Sequence, residues 1–445
     1  MVQDRRTFIK KSALAIGGLS TAISCSSAKS YSRIIGANDT VNVGIVGVRS
    51  RGAALMSTVV NLNNTKVTAL CDVDSDVLAD KSASLKEMTG ESPKIYADYR
   101  KMLENKDIDA IVIASADHTH APFAIYALQA GKHVYCEKPC SYNPDEGFQL
   151  VKAQKAYGKL VQVGSQQRSA PTSQEAIQDI RDGFIGDVYD AQAWYTNNRG
   201  TIGNGKTVAA PKNLNWDLWQ GPAPRVPYRD NIVHYNWHWF KHWGTGEINN
   251  NGMHEMDICR WALDVHLPNK VMSQGGRFHF TDDDWEFFDT QTARFEFEGG
   301  KSLTWVGRSC NGRAPWDLGR GAMIYGTKGS MLIDRNVYIA YDRDSKEIKR
   351  VNEKKQSGTT DLVGLGGLTD YHMANFFEAI RTSVKLNAPV SVSNTSNHLC
   401  HVGNMAQFAG ITLETDPQTG KILNHDESMK HWSRDYEPGW ELNVR

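Results

Sequence analysis

The sequence predicts an α/β fold in two parts: an N-terminal doubly wound parallel sheet, then a C-terminal α+β domain carrying a large, mostly antiparallel, open-faced sheet. From Val41 to about Gln166, short apolar, β-branched runs alternate with helix-like segments, as in strands covered on both faces by crossover helices. Later strand candidates alternate polar and apolar residues, so one face of the second sheet should meet water. The length, 445 residues, favours two or three domains over one.

In chain order, residues 1–36 stand apart. Asp4-Arg5-Arg6-Thr7-Phe8-Ile9-Lys10-Lys11 precede an apolar, small-residue stretch from Ala13 to about Ile23. A basic region before an apolar run too short to span a bilayer has the form of a removable signal. Its paired arginines resemble a twin-arginine signal, which implies export of an already folded protein to the periplasm; a basic disordered tail is the alternative. Cys25 closes the stretch within Ala22-Ile23-Ser24-Cys25 and reads either as a lipid anchor or as a residue near a simple cleavage site. The remaining cysteines, at 71, 136, 140, 259, 310 and 400, lack the spacing of a disulfide framework or zinc knuckle and read as buried thiols.

The first domain is placed at 39–165, with strands over 41–47, 66–73, 110–115, 133–136 and 160–163 and a helix over 122–130. Right-handed crossovers should join these strands. The second, 166–445, opens with a helix over 173–182, a run over 187–195 and a long Gly-, Asn- and Trp-rich loop over 196–246. Strands are expected at 291–298, 302–306, 322–325 and 330–333, and the polar segment 342–358 reads as a surface hairpin and loop. Formal charge sums to zero, which argues against nucleic acid or an anionic membrane as a partner.

Gly47-Val48-Arg49-Ser50-Arg51-Gly52 directly follows the first strand and opens a helix. There a dinucleotide fingerprint presents backbone amides to a pyrophosphate, so all six residues are cofactor candidates. Gly47 permits the tight turn and Gly52 close packing of helix on strand, but Arg49 replaces the middle glycine and must point away or reach a phosphate itself. Asp72 ends the second strand about twenty residues on, where a carboxylate accepts from ribose hydroxyls and repels a 2′-phosphate, favouring NAD over NADP. The bland alternative is a tight turn and a strand-terminal Asp without a ligand.

Three further segments complete the pattern: Ser115-Ala116-Asp117-His118-Thr119-His120-Ala121-Pro122, Glu137-Lys138-Pro139, and Gly244-Thr245-Gly246-Glu247-Ile248-Asn249-Asn250-Asn251-Gly252-Met253-His254-Glu255-Met256-Asp257. With them the chain, from about Val41 to its C-terminus, resembles the Gfo/Idh/MocA family of oxidoreductases, in which a Rossmann domain with a strand-end E-K-P precedes a second domain with a His-containing motif. The resemblance implies an exported, glucose-fructose oxidoreductase-like enzyme that moves a hydride from a ring hydroxyl of a sugar or glycoside to a tightly bound nicotinamide. It makes His254 the proton acceptor and Lys138 the group that polarises the same oxygen and helps seat the cofactor. Alcohol oxidation needs hydride and proton to leave together, and histidine titrates near neutrality.

The resemblance also places Ser115, His118, His120 and Glu137 at the cofactor. His118 and His120 have the alternative of bonding only at their helix start. Gln166 and Arg168 read as cofactor and substrate contacts respectively, or as closing the domain junction, while Trp237, His238 and Asn250 join the substrate set. In the family it resembles, many members carry Asp where this chain has Asn250, which cannot act as a carboxylate base; Glu247, Glu255 and Asp257 are the acids available to stand in for it. His234, His238 and His242 recur every four residues, as metal ligands on one helix face do, but an aromatic loop shaping the substrate pocket is the preferred reading and no metal is assigned.

The periplasm holds no free NAD pool, so an exported enzyme must retain and reset its cofactor. A dehydrogenase handing the hydride to a second acceptor is one solution. The alternative is a glycosidase of the same family that oxidises C3 transiently, eliminates the aglycone, adds water and is re-reduced. A noncatalytic sugar- and NAD-binding protein is the third reading, motivated by Arg49 and Asn250. A homo-oligomer through the open sheet face is expected.

Overall fold

A computed structural model describes residues 35–36, 39–354 and 367–444. The export and lipidation readings on residues 4–25, and the part of the 342–358 segment beyond Lys354, lie outside the described residues.

Six strands, β1 (Val41–Val46), β2 (Thr65–Cys71), β3 (Lys94–Tyr96), β4 (Ala110–Ile113), β5 (His133–Cys136) and β6 (Val161–Val163), form a sheet in the order β3-β2-β1-β4-β5-β6. Every pairing is parallel. The order reverses between β1 and β4, which opens the crevice at the carboxyl ends where such sheets bind ligands. The sequence reading had no counterpart to β3, a three-residue edge strand with little burial and hence no apolar run to betray it.

Between the strands run α1 (Ser50–Asn61), α2 (Ser75–Thr89), α3 (Tyr99–Leu103), α4 (His120–Gln129) and α5 (Pro144–Tyr157). Asp74 caps α2 by accepting from the amides of Asp76 and Val77, and Asn143 caps α5, whose first residue is Pro144. Both helices end on a left-handed glycine, Gly90 and Gly158. These are the polar, proline and glycine signals that start and stop helices.

The second sheet holds β7 (Val188–Thr196), β8 (Lys270–Gly276), β9 (Thr290–Glu296), β10 (Ser302–Arg308), β11 (Arg320–Gly326), β12 (Gly329–Ile333), β13 (Val337–Asp342), β14 (Glu347–Asn352) and β15 (Leu413–Glu414), in the order β14-β13-β12-β11-β7-β10-β9-β8-β15. All neighbours are antiparallel except β7 and β10. The α/β architecture is the one expected, although β8, β13 and β15 extend the sheet beyond the strands read from the sequence. The second part also carries α6 (Pro171–Arg181), α7 (Trp216–Gln220), α8 (Met253–Leu263), α9 (Leu368–Arg381) and α10 (Val390–Ala409).

One face of this sheet is covered. Ala191, Ala193, Phe295 and Trp305 are buried with Met253, Met256 and Cys259 of α8 and Leu399 and Cys400 of α10 in a common apolar core. The opposite face gathers Trp194, Met323, Leu332 and Ile339 into a smaller cluster. Not all of 166–445 stays with the second sheet. Met373, Phe376 and Phe377 of α9 share a core with Val41, Val43 and Leu55, because the apolar face of β1 and α1 needs a cover that residues 39–165 do not supply. Near the C-terminus, Arg434 reaches Glu146 of α5 and Trp440 stacks on Phe123 of α4 at 5.9 Å.

Candidate active site

A cleft of about 620 Å³ runs along the carboxyl ends of β1, β2, β4 and β5 and under the start of α8. Gly47 turns the chain out of β1 with φ of +75°, and a Cβ there would lie 2.7 Å from the carbonyl oxygen of Ala114; one on Gly52 would lie 1.7 Å from that of Gly47. Neither position accepts a side chain. Arg49 has φ of −82°, an extended backbone that needs no glycine, and no side chain caps α1. In that first turn the Gly52 amide donates to the Arg49 carbonyl at 2.8 Å, and the turn faces the cleft. Asp72 lines the cleft and accepts from the Val48 amide at 2.9 Å and from the Asp74 amide at 3.0 Å. Burial pushes the Asp72 carboxyl up, against the pull of those amides.

Glu137 and Lys138 leave β5 in divergent roles. Glu137 is buried and accepts from Arg51 Nε at 2.8 Å, Gln166 Nε2 at 2.9 Å and the Lys138 amide at 3.2 Å. Burial raises its carboxyl, but Arg51 and Lys138 outweigh burial and hold it below the usual range. Lys138 sends its ammonium to Asn250, 2.5 Å from the backbone oxygen and 3.1 Å from Oδ1. Burial lowers its affinity for a proton, opposed by Glu137 and Asp117.

His254, on the first turn of α8, faces the same cleft and is only partly buried. Burial, then the charges of Arg335, Lys138, Arg320 and Arg51, hold its imidazole well below the usual histidine range. It is therefore neutral at neutral pH and free to accept a proton. Cationic donor, neutral imidazole and glycine turn thus meet in one cleft.

Two family models match this chain: the NAD-binding Rossmann fold of the Gfo/Idh/MocA oxidoreductase family over residues 41–165, and that family's C-terminal alpha/beta domain over 191–344. The chain belongs to the Gfo/Idh/MocA oxidoreductase family. It is 26% identical over 263 residues to inositol 2-dehydrogenase 2 of Saccharopolyspora erythraea, across 59% of this chain and 64% of that protein, so it spans just under two thirds of that relative. To an alpha-N-acetylgalactosaminidase of Tannerella forsythia it is 23% identical over 420 residues, 86% of this chain and 89% of that one. Levoglucosan dehydrogenase in complex with NADH and levoglucosan shares the fold with a TM-score of 0.66 at 17% identity, over 84% of this chain and 99% of that one.

The matching Rossmann model is of an NAD-binding fold, and the glycine turn and Asp72 fit a dinucleotide. A bound nicotinamide dinucleotide would supply the hydride acceptor, with Gly47, Ser50, Asp72 and Lys138 among the residues that would hold it. The fingerprint residues divide. Gly47, Arg49, Ser50 and Arg51 line the cleft. Val48 does not, and its amide is committed to Asp72. Gly52 packs behind the turn, and Arg51 donates to Glu137 and to Thr369 rather than projecting into the cleft alone. Ser115 and Gln166 line the cleft, as do Trp237, His238, Asn250 and His120.

Other predicted residues are placed outside the cleft or are engaged elsewhere. His118 lies outside the cleft, in tilted contact with Trp219 and edge-on to Trp243, with Nε2 facing the Trp219 carbonyl at 3.1 Å. It serves packing. His120 is held by the carbonyls of Pro139 at 2.6 Å and Ser115 at 2.9 Å, so its ring joins two strand ends. Arg168 is buried in a bidentate pair with Asp257, at 2.6 and 2.9 Å, and does not reach the cleft. Two of the stand-in acids are likewise engaged: Asp257 with Arg168 and Ser396, and Glu255 with Arg320. The three spaced histidines diverge, with His234 Nε2 3.2 Å from Asp74, His238 stacked on Trp237 at 3.6 Å and His242 bonded to the Pro224 carbonyl at 2.8 Å. A 3-10 turn covers only Asn236–Trp239, so no helix face unites them.

Residues not singled out from the sequence also line the cleft: Arg320, Arg335, Tyr235 and Thr369. Arg320 opens β11, Arg335 sits in the turn between β12 and β13, Thr369 lies in the first turn of α9, and Tyr235 belongs to the aromatic loop before the 3-10 turn. No shared spacing in the sequence marks these four positions, because separate elements bring them to the cleft.

Proposed function

We propose that this protein oxidises a ring hydroxyl of a sugar or glycoside by hydride transfer to a tightly held NAD. The observation that carries the reading is the meeting of Lys138, His254 and the glycine turn in one cleft. Lys138 donates to the reacting oxygen while the neutral His254 takes its proton, so charge does not build up on oxygen as the hydride departs. Asp72 supports NAD over NADP, and Trp237 with His238 supplies a flat wall for a sugar ring. The inositol dehydrogenase among the relatives supports a polyol substrate class.

A redox-neutral glycosidase is the second reading, favoured by the similarity to an alpha-N-acetylgalactosaminidase over most of both chains. The arginine pair and apolar stretch at residues 5–23 support twin-arginine export to the periplasm, with Cys25 as a lipid attachment point. A homo-oligomer stays part of this reading, although Trp194, Met323, Leu332 and Ile339 on that face are already buried within the single chain.

Denaturing the purified protein and assaying the supernatant for nicotinamide, then incubating intact protein with glycosides without added cofactor, tests these readings. Stoichiometric NAD that stays reduced beside a keto-sugar supports the dehydrogenase. Aglycone release without net NADH supports the glycosidase. Neither product from any glycoside, with NAD bound, overturns both.

A further inference from the structure

We propose that Glu247 is a positioning residue: it turns the side-chain amides of Asn250 and Asn251 so that their oxygens face Lys138 and Arg320. The inference rests on the reading of Lys138 as the donor to the reacting oxygen.

Asn250 and Asn251 lie in the wide π-helical turn Ile248–Gly252 that leads into α8, and both line the cleft. Glu247 is buried just before that turn and does not line it. Its Oε1 accepts from Asn251 Nδ2 at 2.5 Å and from Asn250 Nδ2 at 3.4 Å. Its Oε2 accepts from Arg199 Nε at 2.8 Å and from Ser309 Oγ at 3.0 Å, so the buried carboxylate is compensated.

An amide has a donor end and an acceptor end of nearly the same shape. A carboxylate can only accept, so it binds both NH₂ ends and leaves both Oδ1 atoms on the far side. There they meet Lys138 Nζ at 3.1 Å and Arg320 Nη1 at 3.4 Å. Turned the other way, the Asn250 amide would set its donors against an ammonium. With two N–H groups of Lys138 held by Asn250, the third has no acceptor among the hydrogen bonds of the described residues and is left for a substrate oxygen. The charged groups facing Lys138 are Glu137, Asp117, Arg320 and Arg335, and none of them supplies this orientation.

The test uses the NAD-loaded protein with myo-inositol, levoglucosan and methyl glycosides as probes. Glu247→Gln should lower kcat at least tenfold and change KM less than threefold, because it allows the amide to turn. Adding Asn250→Asp should restore kcat to within threefold of wild type, since a carboxylate has no wrong end. A purely structural Glu247 would not be rescued this way. Wild-type kcat in the single variant, or no recovery in the double variant, overturns the inference.

If Glu247→Gln does not fold, Asn250→Leu is measured instead, in which Glu247 keeps Arg199 and Ser309; a tenfold loss supports the inference and wild-type kcat overturns it. If wild type turns over none of the probes, the functional reading fails separately. Lysine-methyl NMR then decides the inference. The Lys138 signal, assigned by its loss in Lys138→Arg, should titrate at lower pH in Glu247→Gln and return in the double variant, and an unmoved signal overturns it.

Discussion

The Lys138 ammonium is held at both ends of one residue, 2.5 Å from the backbone oxygen of Asn250 and 3.1 Å from its side-chain oxygen. That grip fixes a cation at the end of β5 against the turn that leads into α8, at the place where chemistry is proposed.

Replacing Lys138 or His254 by Ala should separate binding from turnover. Each substitution is expected to lower kcat by roughly 10²- to 10⁴-fold, while NAD still raises the melting temperature. Steady-state kinetics with thermal melts in the presence and absence of NAD check this. Normal turnover in both variants would remove the proposed site.

His254 is held neutral by burial and by the cations around it. The acid limb of the kcat/KM profile should therefore fall well below the ordinary histidine value of about 6.5. A limb at or above that value would mean that the cleft does not depress the imidazole.

Stability should respond to acid through other histidines. Burial holds His372 and His398 at about 4 and His401 at about 3, against about 6.5 in the unfolded chain. Below that value the unfolded chain binds protons that the folded protein refuses. Stability is therefore fully present above about pH 6.5 and is lost as pH falls toward 4, by up to about 1.4 kcal/mol per unit for each histidine. Urea midpoints measured from pH 7.5 to 4.5 should decline steadily, and a flat series contradicts the burial of neutral rings.

Arg168 offers a contrast between structure and site. Arg168→Leu leaves Asp257 buried without its bidentate partner, and removal of one member of a buried pair costs about 3–5 kcal/mol. The melting temperature should fall sharply while KM for the sugar in the surviving folded fraction stays near wild type. A large rise in KM with unchanged stability would return Arg168 to the substrate set.

Gly52→Ala should abolish NAD retention, since the added methyl group meets the Gly47 carbonyl oxygen at 1.7 Å. Nicotinamide released on denaturation, counted per chain, reads this directly. A full complement of NAD would show that the turn yields.

Much of the architecture was legible because it is local. The apolar runs of β1, β4 and β5 announce strands buried on both faces, Gly47 and Gly52 mark the turn, and the alternation in β9 and β10 marks a half-covered sheet. β3 escaped because three edge residues need no apolar pattern. α9 escaped assignment to the first sheet because its periodicity says that it has a buried face, not which sheet buries it.

For the site, the sequence by itself determined which chemistry is present: a glycine turn before a helix, a strand-end Glu-Lys-Pro and a histidine near a helix start. Only the tertiary structure decided which charged groups share the cleft. Arg168 and His118 carry suitable chemistry but are spent on Asp257 and on a tryptophan cage, whereas Arg320 of β11 and Arg335 of the β12–β13 turn reach the cleft that holds His254 from far along the chain. Charges act through distance in space, and spacing along the chain reports that distance only within a turn or a single element.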